Sequence, residues 1–113
     1  MGIFNKSYKL KKDFQIKLKK KALKEVRHIA NILGSQFGAK EVILYGSLVE
    51  GKKFDFASDI DLAIKGLTNN YFRAYGYCLR MSNFNLDIKP YEDMPPNFRL
   101  KVDQEGRCLY AKK

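Results

Sequence analysis

A mixed α/β domain, built as a small mixed β-sheet flanked by helices, is the fold class that this 113-residue sequence predicts. Three observations carry it: a long stripe of apolar residues at helical spacing near the N-terminus, three short apolar runs of strand type, and two shorter helical patterns set between and after those runs. The order is helix, strand, loop, strand, helix, strand, helix, with a last short strand.

Leu10, Phe14, Leu18, Ala22, Val26, Ile29, Ala30 and Leu33 recur three or four apart, which makes one stripe of an amphipathic helix stopped by Gly34. Like-charged neighbours four apart, Lys17 with Lys21 and Lys20 with Lys24, each cost a few tenths of a kcal/mol. The first turns should therefore fray, and the helix is firmest from Phe14 to Leu33. A short link leads to Glu41–Tyr45, an apolar β-branched strand that stops at Gly46. Residues 47–58 lack a period and read as loop, with one helical turn after Ser47. Asp59–Lys65 alternates as a strand, with Ile60, Leu62 and Ile64 on one face and Asp59, Asp61 and Ala63 on the other.

Residues 66–68 make a turn, and residues 69–81 form a second helix with Tyr71, Phe72, Tyr75, Cys78 and Leu79 as its apolar positions. Residues 83–91 give a third strand in which Asp87, Lys89 and Tyr91 share a face; Pro90 ends it or puts it at an edge. Pro95 and Pro96 open a short helix over residues 97–104 that Gly106 ends, and residues 108–111 add the last strand. Neither repeats nor a low-complexity linker interrupt the chain, so a single domain over 1–113 is expected, with a basic N-terminal helix in 1–34 and a core in 41–111.

Composition removes several function classes. No apolar run approaches the ~18–20 residues of a membrane span, and the N-terminus lacks the apolar segment of a signal peptide, which makes the cytosol the default compartment, with no membrane expected among the partners. Cys78 and Cys108 are too few for a disulfide framework, and with His28 as the single histidine no Cys/His zinc set can be assembled. Both cysteines read as small core or boundary hydrophobes, and His28 as structural or solvated. A general base must be sought among carboxylates. The net charge of +10 is uneven: residues 6–27 hold ten basic side chains against Asp13 and Glu25, a net +8. That block suits RNA, an anionic surface or an acidic partner, or simply a solvated helix face.

The chemistry sits in residues 45–61. Asp59 and Asp61 are alternate strand residues, so they point the same way with Cα atoms about 6.5–7 Å apart. Carboxylates held so close repel unless a cation lies between them, and hard divalent ions such as Mg²⁺ take such oxygen ligands. Asp87 has the equivalent phase on another strand and, if the strands are neighbours, completes a three-carboxylate cluster able to hold two metals about 3.5–4 Å apart. Gly46 and Ser47, directly after a strand, supply backbone amides and a hydroxyl suited to phosphate oxygens.

Gly46-Ser47, an eleven-residue spacer and Ser58-Asp59-Ile60-Asp61, followed by the Leu86–Tyr110 stretch with its third acid and Pro-bearing helix, resemble the minimal nucleotidyltransferases of the DNA polymerase β-like superfamily. The resemblance runs from about Val26 to Tyr110. It implies that fold, ATP or another nucleoside triphosphate as substrate, and two Mg²⁺ ions on Asp59, Asp61 and Asp87. Gly46 and Ser47 would hold the β- and γ-phosphates, and Asp87 would help deprotonate an acceptor hydroxyl as a nucleotidyl group, AMP foremost, is transferred to it. Small members of the family resemble antitoxins of toxin–antitoxin pairs, which implies a HEPN-type toxin as partner and its tyrosine as acceptor. A chain this short is expected to complete its acceptor site with that partner or as a homo-oligomer.

One departure stands out. Many relatives carry arginines just after Gly-Ser, where this chain has Leu48 and Glu50; Lys52, Lys53 and Lys89 are the cations that could compensate, without the planar fork of Arg. The alternative reading is a catalytically weak or inactive protein of the same fold that binds a partner protein, or RNA through residues 6–27.

Overall fold

The computed structural model describes residues 2–113 apart from Lys52 and Thr68, and for residues 2–9 the backbone alone. Lys52, one of the candidate compensating cations, thus lies outside the described residues. The elements are α1 (Gly2–Ser35), β1 (Glu41–Tyr45), β2 (Asp59–Lys65), α2 (Tyr71–Met81), β3 (Asn85–Pro90), a 3₁₀ turn (Tyr91–Asp93), α3 (Pro96–Glu105) and β4 (Arg107–Ala111). They form a small mixed sheet flanked by helices, with strand order β3-β2-β1-β4. β1 is antiparallel to both β2 and β4, whereas β2 and β3 run parallel, as the helical crossover through α2 requires.

The first face of the sheet carries the main core. Val42 and Leu44 of β1, Ile60, Leu62 and Ile64 of β2, and Leu86 and Ile88 of β3 meet the α1 stripe from Leu18 to Leu33 and Ala74 and Cys78 of α2. Ala63 is not on a solvated face, as simple alternation would have it: it is fully buried in a second, smaller core with Ile43, Tyr45, Met94 and Val102. That second core lies under α3 and the turn before it, so the sheet is covered on both faces.

Two apolar stripes run past the core they serve. α1 holds 34 residues, about 51 Å at 1.5 Å per residue, against strands of five to seven residues. Burial begins at Leu18, while Leu10 and Phe14 are 65% and 53% exposed, and the long dimension of the molecule reaches 57 Å. Phe14 still touches Phe56 of the 46–58 loop, with ring centroids 6.0 Å apart. In α2 the buried face is Tyr71, Ala74, Tyr75 and Cys78, spaced three and four apart, and Phe72 and Leu79 fall about 100° away on the solvent side. Their assignment to the apolar face therefore needs correcting. The Tyr71 and Tyr75 hydroxyls donate to the carbonyls of Ile88 and Leu86, groups that an edge strand would otherwise leave unpaired.

Side chains fix the rest. The Glu25 carboxylate accepts from the Ser82 hydroxyl at 2.8 Å and the Asn83 amide at 2.9 Å, which ties α1 to the segment entering β3. Cys78 is buried, which pushes its thiol up to about 11, whereas Cys108 is exposed on the edge strand β4 and His28 is exposed on α1. Gly34 does not stop α1, which continues through Ser35. Its lack of a side chain serves packing: a Cβ there would lie 2.1 Å from the Tyr110 ring. Gly34→Ala should lower stability by about 1–3 kcal/mol through overpacking. Thermal melts check this, and the same change in a Tyr110→Ala background should cost almost nothing.

Candidate active site

β1 ends at Tyr45, and the chain turns at Gly46 with φ +81°, a left-handed conformation that costs little only for glycine. The Val49 and Glu50 N–H groups both return to the Gly46 carbonyl at 3.0 Å, which makes one helical turn. In such a turn the leading amides face outward from its start. Ser58, just before β2, belongs to a tight turn in which its hydroxyl accepts from the Asp55 N–H at 3.1 Å.

Asp61 occupies the middle of the arrangement. In the sheet register it lies opposite Tyr45 on one side and Asp87 on the other, and paired residues on adjacent strands project from the same face. β2 and β3 are neighbours, in register, so the condition for Asp87 to join the pair of aspartates is met. Asp59 begins β2 opposite Asn85 and is exposed. Burial first, then Asp87, then Asp59 push the Asp61 carboxyl up to about 6, while Lys89 and Lys101 pull it back. Gly46 lies so close that a Cβ there would stand 2.3 Å from the Asp61 Oδ2.

A cleft of about 250 Å³ opens here, with Tyr45, Gly46, Ser47 and Asp61 along one side. Glu50, Lys89, Phe98 and Lys101 complete its lining. Asp59 and Asp87 are not among its described lining residues; Asp87 instead pairs with Lys89 at 3.4 Å. Glu50 pairs with Lys101 at 3.1 Å. Leu48, at the other departure from the arginine pattern, is buried in the main core and anchors the turn. Lys53 is exposed in the loop and is not among the described lining residues; of the two described candidates, Lys89 is the one that lines the cleft.

Among the described residues, no three acidic, histidine or cysteine side chains stand ready to enclose a metal ion. The donor chemistry itself suits a hard divalent cation: the side chains are carboxylates on adjacent strands, and Asp61 carries the repulsion of both others. They fit Mg²⁺ better than a soft metal.

Three residues of the cleft escaped the sequence reading. Tyr45 shares the Asp61 face by register; its hydroxyl is buried, meets no hydrogen-bond partner among the described residues, and is pushed up to about 12 by burial and then by Asp61 and Asp87. Phe98 and Lys101 are three apart on α3, so helical spacing alone puts them on one side. Nothing in the sequence states where α3 lies, and that placement brings both to the cleft.

A sheet of this order, with a Gly-Ser turn after one strand and carboxylates on the next two, is consistent with a nucleotidyltransferase-type fold. The chain belongs to the polymerase beta nucleotidyltransferase family, whose model matches residues 27–113. Its fold is similar to the crystal structure of a candidate nucleotidyltransferase from Sulfolobus solfataricus, with 18% identity, 87% of each chain covered and a TM-score of 0.54. No curated protein matches the sequence significantly. Among the described residues no helix is long and apolar enough to cross a membrane.

Proposed function

We propose that this protein transfers a nucleotidyl group, AMP from ATP, to a hydroxyl acceptor, with Asp59, Asp61 and Asp87 as the acidic set. The observation that carries this reading is the alignment of Asp61 with Asp87 across parallel strands beside the close Gly46 turn. Asp61, Asp87 and Asp59 are the residues that would hold two Mg²⁺ ions, whose charge would offset that of the triphosphate and of the developing transition state. Ser47 and the turn amides bind β- and γ-phosphate oxygens. Lys89 and Lys101 add positive charge to the cleft lining. The acceptor oxygen attacks the α-phosphorus in line as the bond to the bridging oxygen breaks, Asp87 helps remove the hydroxyl proton, and pyrophosphate leaves.

The acceptor we favour is a tyrosine of a HEPN-type toxin, with this chain as the antitoxin; a second copy of the chain is the other partner considered. Incubating the protein with Mg²⁺ and labelled ATP, with and without the product of the adjacent gene, tests it. Label should pass to that partner and pyrophosphate should accumulate. ATP that neither raises the melting temperature in a Mg²⁺-dependent way nor yields pyrophosphate would overturn the enzyme reading.

One observation favours the second reading, a binding protein of the same fold. Where many relatives carry arginines near the phosphates, this chain has a core leucine and Glu50, a carboxylate inside the cleft. Such a protein would act by contacting a partner protein, or RNA through the lysines of α1, and the same incubation would then give no transfer.

A further inference from the structure

Phe98 is an aromatic side chain left 48% exposed, one of several large apolar residues on the helices that face solvent, and it is the one among these that lines the cleft. It separates two spaces rather than one. On one side is the cleft with Gly46, Ser47 and Asp61. On the other is a second hollow of about 200 Å³ lined by Pro90, Asp93, Met94, Pro95 and Phe98. Lys89 and Phe98 line both. The Lys89 Nζ lies 6.0 Å from the centre of the Phe98 ring and 3.4 Å from Asp87, so the cation stands at the junction of the two spaces.

The two differ in chemistry. The cleft carries carboxylates, lysines and backbone amides, whereas the second hollow is lined mainly by an aromatic ring, two prolines and a methionine, beside Lys89 and Asp93. A ligand filling both must be highly charged at one end and flat and apolar at the other. Together the spaces reach the size of small-molecule sites, about 300–1,000 Å³.

We infer that the hollow beside Phe98 is the seat of the nucleobase, with the Phe98 ring as its stacking platform and Lys89 bridging toward the phosphates. The inference rests on the cleft being a triphosphate site, as in the proposed function. Pro90 and Pro95 give this hollow rigid walls, because their φ angles are fixed by the ring. A base entering it exchanges water on the exposed Phe98 face for aromatic contact, which is tolerant of base identity because every base has a π-face. Phe98 is thus a binding residue for the nucleotide and takes no part in the bond-making step.

The test compares Mg²⁺·ATP with Mg²⁺·tripolyphosphate by titration calorimetry on wild type, Phe98→Ala and Phe98→Tyr, with no acceptor present. Phe98→Ala should weaken ATP binding by about 10-fold or more, as loss of one stacking platform does. It should leave tripolyphosphate binding within about twofold and the melting temperature nearly unchanged, since the side chain is half exposed, and Phe98→Tyr should restore ATP affinity. An equal loss for both ligands, or no loss for ATP, would overturn the inference; the latter is what a seat for the acceptor's ring instead of the base would give. Wild type binding ATP and tripolyphosphate equally well would overturn it while sparing the phosphate site. Wild type binding neither would overturn both.

Discussion

Asp61→Asn is expected to abolish nucleotidyl transfer while making the protein more stable at neutral pH. The two effects share a cause. Burial and the neighbouring Asp87 and Asp59 raise the Asp61 carboxyl from 3.8 to about 6 in the folded chain. The folded state therefore binds more protons than the unfolded one between about pH 4 and pH 6, and stability from this group falls as pH rises through that window. Above it, the ionised carboxylate is a standing cost. Two units would correspond to roughly 3 kcal/mol, and solvent screening of a partly exposed group reduces this to about 1–2 kcal/mol. Asparagine keeps the shape and removes the charge. In buffer with a chelator, the melting temperature of Asp61→Asn should exceed that of wild type by several degrees at pH 7–8, and the two should converge near pH 4. Transfer should fall by roughly 10³-fold or more, because charge neutralisation at phosphorus loses a principal ligand group.

Asp59→Asn should lose transfer similarly with a smaller gain in stability, since Asp59 is exposed and ranks last among the groups that raise Asp61. Asp87→Asn should harm chemistry more than nucleotide binding. Turnover at the wild-type rate in Asp59→Asn or Asp61→Asn would sink the assignment of these carboxylates.

Gly46→Ala should damage both stability and binding. The φ of +81° places any L-residue in the left-handed region, at about 1–2 kcal/mol. The added Cβ would also lie 2.3 Å from the Asp61 Oδ2. The Asp61 carboxylate would have to turn away from its present place, while its Cβ, held by the pairing of β2, would still stand 3.3 Å from the new methyl. Relieving the overlap adds about 1–3 kcal/mol, for a total of about 2–5 kcal/mol. Gly51→Ala is the control: its φ is +73°, but the space around it is open. It should show the backbone cost alone and keep nucleotide affinity. Equal melting-temperature losses in the two variants would mean that the approach of Gly46 to Asp61 is not what demands glycine.

Local patterns made most elements legible. β1 and β2 are bounded as the apolar alternation and Gly46 imply, and the Pro-bearing α3 and short β4 fall where proline and glycine put them. Periodicity was weaker at deciding what an apolar face meets. Leu10 and Phe14 continue the α1 stripe without a sheet beneath them, and Phe72 and Leu79 lie one step around α2 from the face that is buried. A stripe states which residues share a side; the length and position of the packing partner decide which of them are covered. Gly34 shows the same limit, since helix propensity marks it as a stop and only the Tyr110 ring explains it.

The sequence by itself determined the mixed α/β class, the two aspartates on one strand face, the Gly-Ser turn and the phase of Asp87. These depend on spacing along one strand or one turn, where the period of two fixes direction. Tertiary structure decided the pairing of β2 with β3 in a register that sets Asp61 beside Asp87, the second core that buries Ala63, and the arrival of Lys101 and Phe98 from α3. Register and packing join residues far apart in the chain, and they are set by how whole faces fit together, which local spacing does not encode.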